Sequence, residues 1–91
     1  MRVEWADAAL DDIKRVYDFL AKVNGRAAHQ RYVALVTAPR RLVTNPRLGP
    51  RVDNIEESEI RRIFIGDYEL RYEVRADVIV VLRIWHTREN R

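Results

Sequence analysis

The residues best equipped for chemistry crowd the last third of the chain. Arg61 and Arg62 stand together, and the closing stretch "DVIVVLRIWHTRENR", residues 77–91, carries Arg83, Trp85 and His86 in and just beyond its most strand-like run. A guanidinium and an imidazole at a strand exit can form a catalytic corner, a docking surface, or the frayed edge of a small domain. Other chemistries are narrowed at once. The chain has no cysteine, which excludes thiolate nucleophiles and a disulfide framework. Its two histidines, His29 and His86, are too far apart to make a metal motif. No metal and no cofactor are expected.

Charge gives the second lead. The formal net charge is +3, and all but Lys14 and Lys22 of the 17 basic residues are arginine. No acidic residue occurs between Asp18 and Asp53, an interval holding Lys22, Arg26, Arg31, Arg40, Arg41, Arg47 and Arg51. Arginine presents a planar fork suited to bidentate contact with carboxylate or phosphate. A basic middle third therefore implies an acidic partner, either an acidic protein segment or a nucleic-acid backbone. Arg26, Arg31, Arg40 and Arg41 join Arg62, Arg83, Trp85 and His86 as candidate partner-binding residues.

The elements that must position these side chains follow from length and periodicity. Ninety-one residues make one small domain, residues 1–91, and 47% apolar with 34% charged residues is a globular composition. The N-terminus "MRVEWADAAL" has no apolar signal-peptide core. No apolar run approaches the roughly 20 residues that span a bilayer, so a cytoplasmic protein without membrane contact is expected. "MRVEW" alternates like an edge strand. Leu10, Ile13, Tyr17 and Leu20 form the stripe of a helix over residues 6–23, with Asp11, Lys14, Arg15 and Asp18 on its wet side and Asp11 paired to Arg15. Asn24-Gly25 stops that helix. Ala28, Tyr32, Leu35 and Val36 mark a second one, antiparallel to the first. Pro39 cannot donate to the Leu35 carbonyl and should kink or break it before the chain resumes helix up to Asn45-Pro46. "PRLGPRVDNIEES", residues 46–58, reads as loop.

Three strands close the chain. Ile60–Ile65 ends at the hairpin signal Gly66-Asp67, after which Tyr68, Leu70, Tyr72 and Val74 alternate with Glu69, Arg71, Glu73 and Arg75. For the last strand the turn length sets the register. A two-residue turn at Ala76-Asp77 would put Arg83 opposite Leu70 on the helix-covered face. A three-residue turn pairs Val74 with Val78, Tyr72 with Val80, Leu70 with Leu82 and Tyr68 with Ile84. The second choice avoids burying a charge and is the one expected, with Val78, Val80, Leu82 and Ile84 in the core. Arg83 and Trp85 then face away from the helices, with Arg83 pairing to Glu69 and His86 at the rim of the same open face. Alternation from Phe64 puts Arg62 on that face and Arg61 on the other, against carbonyls or tyrosine hydroxyls. Apolar Ile79 and Val81 on the second parity make the last strand central. The class is α+β, β-α-α-β-β-β, with two antiparallel helices packed on one face of a mostly antiparallel four-stranded sheet.

That order, with "VEWADAALDDIKRVYDFL", "LVTNPRLGPRV", "IRRIFIGDYELRYEV" and "VIVVLRIWHTREN", resembles the RelE/ParE superfamily of toxins from type II toxin–antitoxin modules. The resemblance covers nearly the whole chain and implies a growth-inhibiting toxin neutralised by a cognate antitoxin. RelE-like members are ribosome-dependent endonucleases that cut mRNA, and ParE-like members bind and poison DNA gyrase. The ending Leu82-Arg83 with His86 and Arg88 resembles the ParE branch, whose partner would be an acidic ParD-like antitoxin.

A metal-free RNase needs a base for the 2′-OH, an acid for the leaving oxygen and cations for the phosphorane. His86 can be the acid, Glu57 or Glu59 the base, and Arg61, Arg62 or Arg83 the clamp. Three positions depart from the RNase branch: Glu69 follows the third-strand tyrosine where a basic residue is common, Thr87 follows His86 where one subgroup has tyrosine, and Phe64 stands about where the type RNases have arginine. Each departure removes charge or stacking from a phosphate site. A gyrase-binding inhibitor is therefore expected rather than an enzyme, with a ribosome-dependent mRNA endonuclease using His86, Arg83 and Arg62 as the alternative. Pro39 leaves room for a third reading, a partner-binding protein with little toxicity.

Overall fold

The computed structural model describes residues 1–23, 25–52 and 57–89. Asn24 of the expected turn, residues 53–56 of the loop and the last two residues of the polar tail lie outside these. The order is β1 (Arg2–Trp5), α1 (Asp7–Ala21), α2 (Gly25–Thr37), α3 (Pro39–Thr44), β2 (Ile60–Ile65), β3 (Tyr68–Val74) and β4 (Val78–His86). The sheet runs β1-β4-β3-β2, with β1 parallel to β4 and the other pairs antiparallel. β4 is thus central, as its two apolar parities require.

Helices cover one face and the core lies beneath them. Leu35, Leu42, Leu70, Tyr72, Ile79, Val81 and Ile84 are each fully buried there, every aliphatic one contributing about 1.5–3 kcal/mol. The stripe of α1 differs from the expected one by one position. Ala9, Asp12, Val16 and Leu20 are buried, whereas Leu10 and Tyr17 are 49% and 53% exposed. Tyr17 turns sideways to meet the Tyr32 ring of α2 edge-on at 5.1 Å. The missed signal is Asp12: a carboxylate on the inner face is invisible to a stripe drawn from apolar residues alone. Pro39 acts as expected. α2 stops at Thr37, whose hydroxyl donates back to the Val33 carbonyl at 2.7 Å, and Pro39 opens α3 at its first position, where no N–H is needed.

The turn between β3 and β4 corrects the register. The Arg75 amide donates to the Val78 carbonyl at 2.9 Å, so the turn has two residues, Ala76 and Asp77. Val74 pairs with Ile79 and Tyr72 with Val81. A bulge then absorbs Leu82, and beyond it Arg71 pairs with Arg83, Leu70 with Ile84, Glu69 with Trp85 and Tyr68 with His86. The helix-side set is therefore Ile79, Val81 and Ile84. Val78 and Val80 are buried but outside that cluster, and Leu82 is only half-buried. The extra residue switches parity, which keeps Arg83 out of the core by a different route from a longer turn.

The loop after α3 is clamped to the sheet by Tyr72. Its hydroxyl accepts from the Gly49 amide at 3.0 Å and donates to the Pro46 carbonyl at 2.8 Å. Arg61 donates to the Gly49 carbonyl at 2.7 Å and to Glu59 at 2.7 Å, the carbonyl contact expected of it. The approach is so close that a Cβ on Gly49 would run into the Arg62 carbonyl, which is why glycine stands there.

Candidate functional site

The register builds the open face row by row. Arg62, Arg71 and Arg83 are direct cross-strand neighbours, giving a line of three arginines across β2, β3 and β4. Phe64, Glu69 and Trp85 form the next row. Like charges placed directly opposite one another destabilise a sheet, so each guanidinium requires compensation. Arg71 donates to Glu69 at 2.6 Å and lies 5.0 Å from the Trp85 ring centre. Arg83 lies 5.5 Å from the same ring. Arg62 stacks over Phe64 at 5.4 Å, and its buried Nε makes no hydrogen bond among the described residues. Each such cation–aromatic contact contributes about 0.5–1 kcal/mol.

The main anchor of the row comes from α1. Pairing of β1 with β4 ends where the Ala6 amide meets the Val81 carbonyl, so the same edge of β4 beyond Val81 needs other partners. Asp12 supplies them. Its Oδ2 accepts from the Ile84 amide at 2.8 Å and from Arg83 Nε at 2.7 Å, and its Oδ1 accepts from Arg83 at 3.1 Å and from Arg15 at 2.9 Å. Arg15 reaches the Ile84 carbonyl at 3.4 Å and the Glu89 carboxylate at 3.0 Å. Side chains one turn apart on α1 thus replace a missing strand. Burial opposes ionisation of Asp12, but the bonds from Arg83, the Ile84 amide and Arg15, with the attraction of Arg83, outweigh it and hold the carboxyl below its usual range. Arg83 is pushed up by the same bond to Asp12.

Arg15, Arg71, Arg83, Trp85 and Glu89, with Ile60 and Leu82, enclose a concavity of about 920 Å³. Trp85 is its floor, 6% exposed beneath two guanidiniums, rather than a projecting anchor.

The candidate residues divide between two surfaces. Arg62, Arg83 and Trp85 come together on the open face. Arg26, Arg31, Arg40 and Arg41 are exposed on α2 and α3, in the helical layer. His86 does not belong to the open rim where it was expected. It pairs with Tyr68, packs edge-on against that ring at 5.2 Å, and lines a recess with Phe19, Arg31 and Tyr68. Its Nδ1 accepts the Arg88 amide at 3.0 Å. The expected Arg83–Glu69 pair is replaced by Arg83–Asp12 and Arg71–Glu69, and Arg15 bonds Asp12 and Glu89 where Asp11 was expected. Alternation within β3 placed Arg71 and Glu69 on this face beside Arg83, whereas sequence reasoning missed Asp12 and Arg15 as parts of it. A strict alternation of Glu69, Arg71 and Glu73 flagged the first two as solvated side chains, and nothing in it marked Glu69 as buried.

Comparison with known proteins decides the family. A family model described as "ParE toxin of type II toxin-antitoxin system, parDE" matches residues 3–91. The chain belongs to the ParE toxin family. Among solved structures, this ParE-type toxin is similar to a chain of the chromosomal ParDE system from P. aeruginosa, with 21% identity, a TM-score of 0.71, and 94% of this chain and 95% of that one covered. It is also similar to a chain of the archaeal RelE–RelB complex from Pyrococcus horikoshii OT3, at 14% identity and TM-score 0.57 over 98% and 97% of the two chains. A third is protein HP0894 from Helicobacter pylori, at 16% identity and TM-score 0.60 over 98% and 97%. At these identities the structures establish the RelE/ParE fold, which the element order and sheet reproduce. No curated protein matches the sequence. Among the described residues no three His, Asp or Glu side chains group as metal ligands, and no helix is long and apolar enough to cross a membrane.

Proposed function

We propose that this ParE-type toxin inhibits growth in the cytoplasm by binding DNA gyrase, without RNA cleavage, and is neutralised by an acidic ParD-like antitoxin. The observation carrying this reading is the register of β4 beyond the bulge at Leu82, which puts Arg83 on the face of Arg62 and Arg71 and the imidazole on the other. His86 lies with Tyr68 on the helix side, while Arg62, Arg71 and Arg83 lie on the open face. An acid on one face of the sheet is badly placed to work with a phosphate clamp of Arg62, Arg71 and Arg83 on the other. Glu59 is also a poor base, because its bond to Arg61, opposed by burial and assisted by Arg47, holds its carboxyl below the ordinary range. What remains is a surface that grips, with arginine as its principal contact residue. An antitoxin partner is supported by the complexes in which similar folds are found.

A supercoiling assay with purified toxin tests the target. Loss of supercoiling or a trapped cleavage complex is expected, weakened at least tenfold in an Arg71→Gln, Arg83→Gln double variant that still folds. Unchanged supercoiling with no trapped complex defeats the gyrase reading. The endonuclease alternative is read separately by primer extension on translated mRNA, where cuts abolished by His86→Ala would establish it.

A further inference from the structure

Three guanidiniums border the open concavity, and their counter-ions are of two kinds. Asp12 and Glu69 are buried, at 3% and 1% side-chain exposure, and hold Arg83 and Arg71 from below. Glu89 is different. Its carboxylate is 38% exposed, and it bonds Arg15 through both oxygens at 3.0 and 3.2 Å. It is delivered there by a turn at the end of β4, in which the Glu89 amide donates to the His86 carbonyl at 2.9 Å and the Arg88 amide to His86 Nδ1. Meanwhile Arg71 uses only Nε for Glu69, and Arg83 only Nε and Nη2 for Asp12. The remaining terminal nitrogens of both make no hydrogen bond among the described residues, so the basin retains donor capacity beyond its own acids.

We infer that Glu89 is an internal stand-in for a carboxylate of an acidic peptide that binds across the arginine basin, and that the peptide displaces it on binding. The occupant already present is a carboxylate on a turn of chain, held by an exposed ion pair of the kind worth little to stability and therefore readily exchanged. The walls suit a peptide with spaced acids and apolar residues, since Ile60 and Leu82 lie between the charged groups. A single-stranded nucleic acid suits them less. Such strands need exposed aromatic platforms; the aromatic lining this concavity, Trp85, is buried under Arg71 and Arg83, and the exposed Phe64 of the same face lies outside it. The inference rests on the open face being the surface that grips a partner protein. Its test does not involve gyrase, so failure here is distinguishable from failure of the gyrase assay.

The test is fluorescence anisotropy of the full chain with a fluorescein-labelled hexaglutamate peptide and, in parallel, a labelled oligothymidylate. Glu89→Gln is exposed and removes the competitor without touching the core. It should tighten hexaglutamate binding about two- to fivefold, the range of an exposed ion pair removed from the competing side. Glu4→Gln makes the same change in net charge on β1, where Glu4 is paired with Arg2, and should tighten it by less than half as much. Arg83→Gln should weaken binding at least fivefold, and a urea melt establishes that this variant is folded. Equal gains from Glu89→Gln and Glu4→Gln overturn the inference in favour of general attraction. A larger gain for the oligothymidylate than for the peptide overturns it in favour of a nucleic-acid site.

Discussion

Asp12→Asn is the perturbation that bears most directly on how this face is held. The wild-type carboxylate is 3% exposed and accepts from Arg83, Arg15 and the Ile84 amide. Removing one charge from a buried pair costs about 3–5 kcal/mol when the partner charge stays buried. Here the partners do not, because Arg15 and Arg83 are 45% and 53% exposed and regain water when released. An asparagine oxygen can also still accept from the Ile84 amide. The expected loss is therefore about 2–3 kcal/mol, below the full buried-pair value. In a domain this size that lowers the midpoint of thermal unfolding by about 10–20 °C. The pH dependence gives a second reading. Asp12 titrates below its ordinary value in the folded chain, so its contribution is complete above about pH 4 and is lost as pH falls through the lower, folded value. The gap between wild type and Asp12→Asn should be constant from pH 5 to 8 and narrow below pH 4. Thermal melts followed by circular dichroism at pH 7 and pH 3 measure both. A midpoint change under about 3 °C, or a gap of the same size at the two pH values, would refute the assignment of Asp12 as the anchor of Arg83 and Ile84.

Three further substitutions probe the same framework. Gly49→Ala forces a Cβ against the Arg62 carbonyl and should cost about 1–3 kcal/mol, read as a lower urea midpoint with an unchanged slope. Tyr72→Phe leaves the Gly49 amide and the Pro46 carbonyl without their hydroxyl partner, a loss of about 1–3 kcal/mol in the same urea experiment. In a double-mutant cycle, Asp12→Asn and Arg83→Gln should couple by about 0.5–3 kcal/mol, whereas Asp12→Asn and Arg75→Gln, on a pair remote from Asp12, should add within about 0.5 kcal/mol.

How far the sequence discloses this protein depends on which interactions repeat. The alternation of Tyr68, Leu70, Tyr72 and Val74, the Gly66-Asp67 turn and the break at Pro39 are local patterns with local causes, and each appears where the residues put it. Placement of Arg62 on the open face and Arg61 against the Gly49 carbonyl also followed from alternation within one strand. The stripe of α1 failed for a different reason. Asp12 is buried only because Arg83, Arg15 and the Ile84 amide converge on it, and Arg83 and Ile84 lie more than 70 residues further along the chain. No window along the sequence contains that convergence. The arginine row was hidden in the same way, because Arg62, Arg71 and Arg83 align only once three strands are in register.

The register of β4 itself turns on one energetic choice. An unbroken ladder from the two-residue turn would carry Arg83 to the helix-covered face opposite Leu70, and burying that charge costs several kcal/mol. Lengthening the turn avoids this but gives up the arrangement at Asp77, whose carbonyl accepts the Arg2 amide at 3.1 Å and whose carboxylate accepts Arg2 at 2.9 Å. The bulge at Leu82 keeps the short turn and the attachment of β1, and still turns Arg83 outward. It also moves Ile84 onto the core face opposite Leu70, with its amide at the Asp12 carboxylate. One inserted residue therefore satisfies the turn, the core and the buried acid together. The same insertion sends His86 to the side of Tyr68 and leaves Arg83 in line with Arg71 and Arg62. The alignment of Arg83 with Arg71 and Arg62, and the removal of His86 from the face of Arg62 and Arg71, are consequences of a single bulge.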